Sequence, residues 1–179
     1  MLEKLKEEIK KNKKPILFIT KMLGLYLIFQ FFYDYIISPY TEVDAYLINS
    51  IIGTAESGLK FLKYELLPSN SIYKYHMGIY GTTGVIIGNP CDGLSLFILF
   101  TSFLIVFKGK LWFKALFTFL GIFLIHLLNV GRVMALAIIV KYYPETLDFH
   151  HSYTFTLFIY VCIFLLWVLR IKIYQKHQL

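Results

Sequence analysis

Four long apolar runs, separated by short polar or charged segments, set the pattern of the chain. They cover residues 15–37, 90–107, 111–140 and 153–169. A helix that crosses the hydrocarbon core of a bilayer needs about 20 predominantly apolar residues, and each run approaches or exceeds that length. The pattern therefore predicts an all-α integral membrane protein with about four transmembrane helices.

Residues 38–89, between the first two runs, follow a different pattern. In residues 41–67, apolar positions recur every three or four residues with charged residues between them. This spacing is typical of an amphipathic helix, and we expect an interruption near Gly53 or Gly58. In residues 78–88, β-branched and aromatic residues are split by glycines, which favours a short hairpin. The whole segment is expected to form a small extracytoplasmic layer.

The distribution of charge predicts how the chain is oriented. Residues 1–14, the turn at residues 108–114 and the C-terminal tail are basic, whereas residues 38–89 and 141–151 carry at least as many acidic as basic residues. Lysine and arginine are concentrated in cytoplasmic loops of membrane proteins. We therefore expect a multi-pass protein of the cytoplasmic (inner) membrane with both termini in the cytoplasm.

Composition agrees with this class of protein. The 179 residues are 58% hydrophobic and 18% aromatic, which suits a single membrane-embedded domain, residues 1–179, and is too apolar for a soluble one. The formal charge of +7 comes largely from lysines at the ends of the apolar runs, where they orient the chain. The expected partner is therefore the lipid bilayer and not nucleic acid. The first run lacks a small-residue cleavage site, so we interpret it as an anchor.

Cys91 stands at the beginning of the second apolar run, in the sequence Asn89-Pro90-Cys91-Asp92-Gly93. Asn89 is a good N-cap and Pro90 suits the first position of a helix. Cys91 would then lie among unpaired N–H groups at the positive end of the helix dipole, which favours a thiolate. The only other cysteine, Cys162, lies within the last run, so we expect Cys91 to be a free thiol.

Polar residues from three stretches are predicted to reach one depth. Cys91 precedes Lys108 by about 17 residues, or roughly 25 Å along a helix, and Arg132 follows Leu111 by about 21 residues, or roughly 31 Å. Both positions correspond to the outer interface, and the pair His150 and His151 comes just before the fourth run on the same side. Taken singly, these residues suit ordinary packing or interfacial roles. Their convergence on one plane favours a site.

Asn129 is expected to support Arg132. The two residues are three positions apart, so they share one face of the third helix. A cation in an apolar helix is costly, which predicts that Arg132 faces the bundle interior or an aqueous pocket. The sequence leaves open whether Arg132 lies below the membrane surface or the helix projects beyond it.

These motifs resemble those of the exosortase and archaeosortase family. The resemblance rests on Cys91-Asp92-Gly93-Leu94, Asn129-Val130-Gly131-Arg132 and Phe149-His150-His151 before a final span. It covers roughly Gly88 to the C-terminus, and the chain is similar to a compact, bacterial-type member. Two positions depart from the family's pattern: Asp92 stands where a small residue is usual, and Thr154 stands where a glycine is common.

The resemblance implies a membrane cysteine transpeptidase or protease that processes C-terminal sorting signals of exported proteins. Carried over, Cys91 would be the nucleophile, Arg132 the oxyanion stabiliser and His150 the acid and base, with His151 as the fallback. Asn129, Asp92 and Gly93 would support them, with neither cofactor nor metal. The substrates would be exported proteins anchored by a C-terminal transmembrane sorting signal, and the layer of residues 38–88 would grip them.

Two other interpretations remain open at this point. In the first, the chain is a non-enzymatic membrane subunit that binds or assembles exported proteins, and Cys91 is structural. In the second, Cys91, His150 and His151 bind a metal ion. Their ligand types suit zinc, but they lack the close local spacing of structural zinc sites, so the metal site ranks last.

Overall fold

The computed structural model describes residues 12–68, 73–88 and 91–177. Within these residues the chain forms, in order, α1 (Lys13–Phe32), α2 (Val43–Phe61), β1 (His76–Met77), β2 (Val85–Ile86), α3 (Leu94–Val106), α4 (Leu111–Tyr142) and α5 (Phe155–His177). Short turns join them: π-helical turns at Tyr33–Ile37 and His150–Thr154, 3-10 turns at Ser38–Tyr40 and Pro144–Thr146, and one α-helical turn at Leu147–Phe149. Most of the predicted basic segment 1–14 lies outside the described residues.

The helices confirm the all-α membrane class. Three continuous helical stretches are long and apolar enough to cross a membrane: Lys13–Tyr40, Leu111–Tyr142 and Pro144–Lys176. The fourth apolar helix, α3, has only 13 residues, or about 20 Å, against a hydrocarbon core of about 30 Å. It is shorter than expected because Gly93, with φ +84°, and the extended Phe107 end the helical backbone at its two sides.

Helix α2 is amphipathic, as predicted, but it is not interrupted. It runs without a break from Val43 to Phe61 and buries an apolar stripe that includes Ile48, Ile51, Ala55 and Leu59. The expectation of a break at Gly53 or Gly58 is wrong. At Gly58 a Cβ would lie 2.7 Å from Cε of Met134 in α4, so this glycine allows close helix packing and does not end the helix.

The predicted hairpin is confirmed. Strands β1 and β2 pair antiparallel, with His76 opposite Ile86 and Met77 opposite Val85. Gly78 follows β1, and Gly84 precedes β2. The two glycines lie so close together that a Cβ on Gly78 would lie 2.5 Å from Cα of Gly84. The glycines that divide this segment therefore let the two chains meet.

Two apolar cores follow one another along α4. The first joins α1, α3, α4 and α5 through Met22, Phe100, Phe103, Leu104, Ile125, Ile159 and Ile163. The second joins α2, the hairpin and α4 through Ile48, Ile51, Ala55, Leu59, Met77, Ile79, Ile87, Val130, Val133 and Ala137. Because Ile125 belongs to one core and Val130 to the other, Asn129 lies where the helical bundle meets the hairpin layer.

Candidate active site

Cys91 and His151 meet at this junction. The Sγ atom of Cys91 lies 3.5 Å from Nε2 of His151, and both side chains are half-buried. Both cysteines of the chain are free. A thiol and an imidazole nitrogen at this separation form the pair that cysteine nucleophiles require.

The structure brings His151, and not His150, to the sulfur. His150 instead places Nδ1 3.2 Å from Oγ1 of Thr154 and contacts the rings of Phe149 and Phe155. Both histidines lie in the π-helical turn His150–Thr154. In such a turn the hydrogen bonds reach five residues along the chain, so side chains point in other directions than in an α-helix. The geometry therefore favours the fallback, His151, over His150 as the partner of Cys91.

Cys91 lies ahead of α3 and not in its first turn. The proposed cap at Asn89 and Pro90 lies outside the described residues, while the α-helix begins at Leu94. Its first N–H group, that of Leu94, donates to Oδ1 of Asp92 at 2.8 Å. The expected arrangement, with Cys91 among unpaired N–H groups of the helix, is thus wrong, because the helix begins three residues after Cys91 and Asp92 accepts a hydrogen bond from its first N–H group.

Asn129 and Gly93 hold the turn that carries Cys91. Nδ2 of Asn129, which is 1% exposed, donates to the carbonyl oxygen of Cys91 at 2.6 Å. Gly93 has a left-handed φ of +84°, and a Cβ there would lie 3.0 Å from the same Nδ2 atom. Glycine is the residue that adopts this backbone conformation without strain. These two residues therefore fix the position of the cysteine.

Arg132 reaches the histidine side of the pair. Its Nη2 donates to the carbonyl oxygen of His151 at 3.4 Å, and Oγ1 of Thr156 donates to the same oxygen at 3.2 Å. Its Nε is buried and lacks a hydrogen-bond partner among the described residues. The guanidinium therefore keeps a donor that the described residues do not use.

Two cavities share His151. The first, about 470 Å³, is lined by Cys91, Asp148 and residues 83–87 of the hairpin as well as by His151. The second, about 410 Å³, is lined by Asp92, Arg132 and residues of α5 together with His151. Cys91 and Arg132 thus border different cavities, and the histidine between them links the sulfur to the guanidinium.

A buried carboxyl pair lies behind the cysteine turn. The hydroxyl of Tyr33 donates to Asp44 and lies 3.4 Å from Oδ2 of Asp92. Ser38 donates to Asp44 at 2.5 Å. Asp44 and Asp92 are 8% and 4% exposed. The two residues are far apart in the sequence. Sequence analysis gave Asp92 only a supporting role and missed Asp44 and Tyr33.

The two carboxyls titrate differently. Burial, together with the neighbouring Asp44 carboxyl, raises the pKa of Asp92 to about 6. Burial acts in the same direction on Asp44, but hydrogen bonds with Ser38, Tyr33 and Asp92 outweigh it and hold the pKa of Asp44 below its ordinary value. Two buried carboxyls in contact cannot both ionise readily, so Asp92 is the carboxyl of the pair that takes up a proton first as pH falls toward about 6.

The metal hypothesis gains no support from the geometry. In the described parts of the chain, no group of three or more His, Cys, Asp or Glu side chains is arranged to hold a metal ion. Cys91 and His151 would supply two ligands, while His150 faces Thr154. Structural zinc sites usually have four protein ligands.

Comparison with known proteins gives one match. The family model described as transmembrane exosortase matches residues 16–168. This range includes Cys91, Arg132 and both histidines. The curated proteins and the solved structures give no match.

Proposed function

The chain belongs to the transmembrane exosortase family, and we propose that it is a cysteine peptidase or transpeptidase that processes C-terminal sorting signals of exported proteins. The observation that carries the proposal is the 3.5 Å contact between Sγ of Cys91 and Nε2 of His151. A non-enzymatic subunit with a structural cysteine has no need of this contact. The orientation expected from the basic segments places the site at the outer face of the cytoplasmic membrane.

In the first step, Nε2 of His151 takes the proton of the Cys91 thiol. The thiolate attacks the carbonyl carbon of the scissile peptide bond, a C–S bond forms, and the carbonyl oxygen becomes an oxyanion. Arg132 stabilises this oxyanion with the N–H groups that it does not donate to His151. Such positioned donors act most strongly where water is excluded.

In the second step, the imidazolium of His151 gives its proton to the nitrogen of the leaving amine. The C–N bond breaks, and the substrate's N-terminal part remains as a thioester on Cys91. Water or an acceptor amine then attacks the thioester carbonyl, His151 removes a proton from the attacking group, and the thiol is restored. Attack by water releases the hydrolysed protein, whereas attack by an acceptor amine joins the protein to that acceptor.

Replacing each cysteine tests this proposal. The probe is an exported protein from the same cell that carries a C-terminal transmembrane helix and basic tail and whose processing can be followed by its change in mass. We expect Cys91→Ala and Cys91→Ser to abolish processing, and Cys162→Ala to leave it unchanged because Cys162 lies in α5 away from His151. Processing that persists in both Cys91 variants would contradict the proposed role of Cys91.

A further inference from the structure

A third cavity continues from the site along the surface between α4 and α5. It has a volume of about 400 Å³ and is lined by Leu127, Leu128, Gly131, Arg132, Thr154, Phe155, Phe158 and Ile159. Arg132 and Ile159 also line the second cavity. The groove is therefore continuous with the Arg132 side of the site, and it is apolar except at the end where Arg132 and Thr154 lie.

The direction of the groove follows from the helices that form it. Along α4, Leu127 is farther from the site than Arg132, which contacts His151. On the other side, Thr154 is the last residue of the histidine turn, and Phe158 lies in α5 about one turn beyond it. A chain that leaves the Cys91–His151 pair through this groove runs along the length of the bundle, from its polar end toward its apolar end.

At Gly131 the wall of the groove has no side chain. A glycine in a helix interior destabilises the helix by about 1 kcal/mol relative to alanine. Close contacts explain two such glycines, since a Cβ at Gly58 or Gly121 would collide with Met134 or Phe100. Gly24, Gly53 and Gly131 lack such contacts, and of these three Gly131 lines the groove. A Cβ at Gly131 has no described atom within 4 Å, and the residue is exposed. Small residues of this kind let a second transmembrane helix approach closely.

We propose that the groove between α4 and α5 binds the transmembrane helix of the protein being processed, with that helix packed over Gly131. This inference rests on the proposed function, because it assumes that the scissile bond is held against the Cys91–His151 pair. The part of the substrate before the scissile bond then occupies the cavity beside the hairpin. The part after it passes Arg132 and descends along α5.

The alternatives for this surface differ in what they require. Lipid alone would cover an apolar face anywhere on the bundle and would not require continuity with the cavity that holds Arg132 and His151. A second copy of the chain would place its own helix there and close the route from the site. The substrate helix is the occupant whose position is fixed by the chemistry at the end of the groove.

Filling the groove at Gly131 tests the proposal. The probe is the anchored protein whose processing depends on Cys91. We expect Gly131→Leu to lower kcat/KM for this protein by about tenfold or more, while the rate of Cys91 alkylation by a small thiol reagent stays unchanged. The control is Gly24→Leu in α1, where a Cβ also has no described atom within 4 Å, and it should not alter processing.

A cross-linking experiment covers the case in which Gly131→Leu fails to fold. A photoreactive phenylalanine at Phe158 should cross-link to the probe's transmembrane helix in the Cys91→Ala background, whereas the same residue at Phe31 in α1 should not. The two positions are similarly exposed, at 54% and 57%. Cross-links only to lipid, or only to a second copy of the chain, would overturn the groove proposal.

Failure of the groove and failure of the proposed function give different results. Processing that requires Cys91 but is unaffected by Gly131→Leu overturns the groove alone. Absence of any processing that requires Cys91 overturns both.

Discussion

Cys91, His151 and Arg132 form a chain of contacts in which the histidine is central. Its imidazole reaches the sulfur, while its carbonyl oxygen accepts a hydrogen bond from Arg132. Arg132 thus holds the backbone of His151, while the imidazole ring of His151 contacts Cys91. His150, although adjacent in sequence, has neither contact among those described for it.

Replacing the two histidines separately should distinguish their roles. His151→Gln removes the proposed acceptor of the thiol proton, and we expect the processing rate to fall by about 100-fold or more. His150→Gln alters only contacts with Thr154, Phe149 and Phe155, and it should change the rate by about twofold at most. The measurement is the initial rate of processing of the anchored probe by each purified variant. A larger loss in the His150 variant would contradict this assignment.

Asp92 should make stability depend on pH. Its folded-state pKa is raised to about 6, above its ordinary value of about 4. The folded state therefore binds more protons than the unfolded state between these values, so this residue's contribution falls as pH rises from about 4 to 6 and is constant above that. Ionisation of Asp92 would bring a second negative charge next to Asp44.

The comparison of wild type with Asp92→Asn measures this contribution. Asparagine keeps an acceptor for the Leu94 N–H group and cannot ionise. We expect the free energy of unfolding of wild type, relative to the variant, to decline by roughly 1 to 3 kcal/mol across this interval. The measurement is unfolding in detergent at several pH values, and a difference that does not change with pH would contradict the assignment.

At the scale of elements, the beginning of α3 decides where Cys91 lies. The long apolar runs predicted the main helices correctly, because length and apolar character are what a membrane helix requires. The start at Leu94 depends instead on the left-handed backbone of Gly93 and on the hydrogen bond from the Leu94 N–H group to Asp92. Both features oppose the predicted helix that begins at Pro90. The choice between His150 and His151 depended on a π-helical turn, for which the sequence carried no signal.

Gly93 should tolerate a side chain poorly. Gly93→Ala forces alanine into a left-handed conformation, at a cost of roughly 1 to 2 kcal/mol, and brings its Cβ to 3.0 Å from Nδ2 of Asn129. We expect a lower melting temperature and slower processing. The control, Gly53→Ala, lies within α2 where a Cβ meets no described atom within 4 Å, and it should be neutral or stabilising. Equal effects of the two substitutions would contradict the role of Gly93.

At the scale of the whole molecule, α4 connects two apolar cores, one in the helical bundle and one beneath the hairpin. The 32 residues of α4 extend about 48 Å, which exceeds the hydrocarbon core by about 18 Å. The residues of α4 nearest its C-terminal end pack against α2 and the hairpin. The helix continues past Arg132 to Tyr142. The carboxyl pair and its partner Tyr33 could not be predicted, because the three residues come from separate segments of the chain.

The hairpin forms one wall of the cavity that contains Cys91, so enlarging a wall residue should impede the substrate. Ile86 lines this cavity and is 61% exposed, and we expect Ile86→Trp to raise KM for the anchored probe with little change in the melting temperature. Tyr80, which is 64% exposed on the hairpin, gives the matched control Tyr80→Trp. The measurement is steady-state kinetics, and equal KM values for the two variants would exclude this role of the hairpin.

Detection of an acyl group on Cys91 tests the proposed chemistry most directly. Purified protein is mixed with the anchored probe, quenched in acid and digested, and the peptide that contains Cys91 is analysed by mass spectrometry. We predict that the probe's N-terminal part is attached to this cysteine through a bond that hydroxylamine cleaves, and that Cys91→Ala lacks it. Processing that proceeds at the wild-type rate in Cys91→Ala would contradict the nucleophilic role of this cysteine.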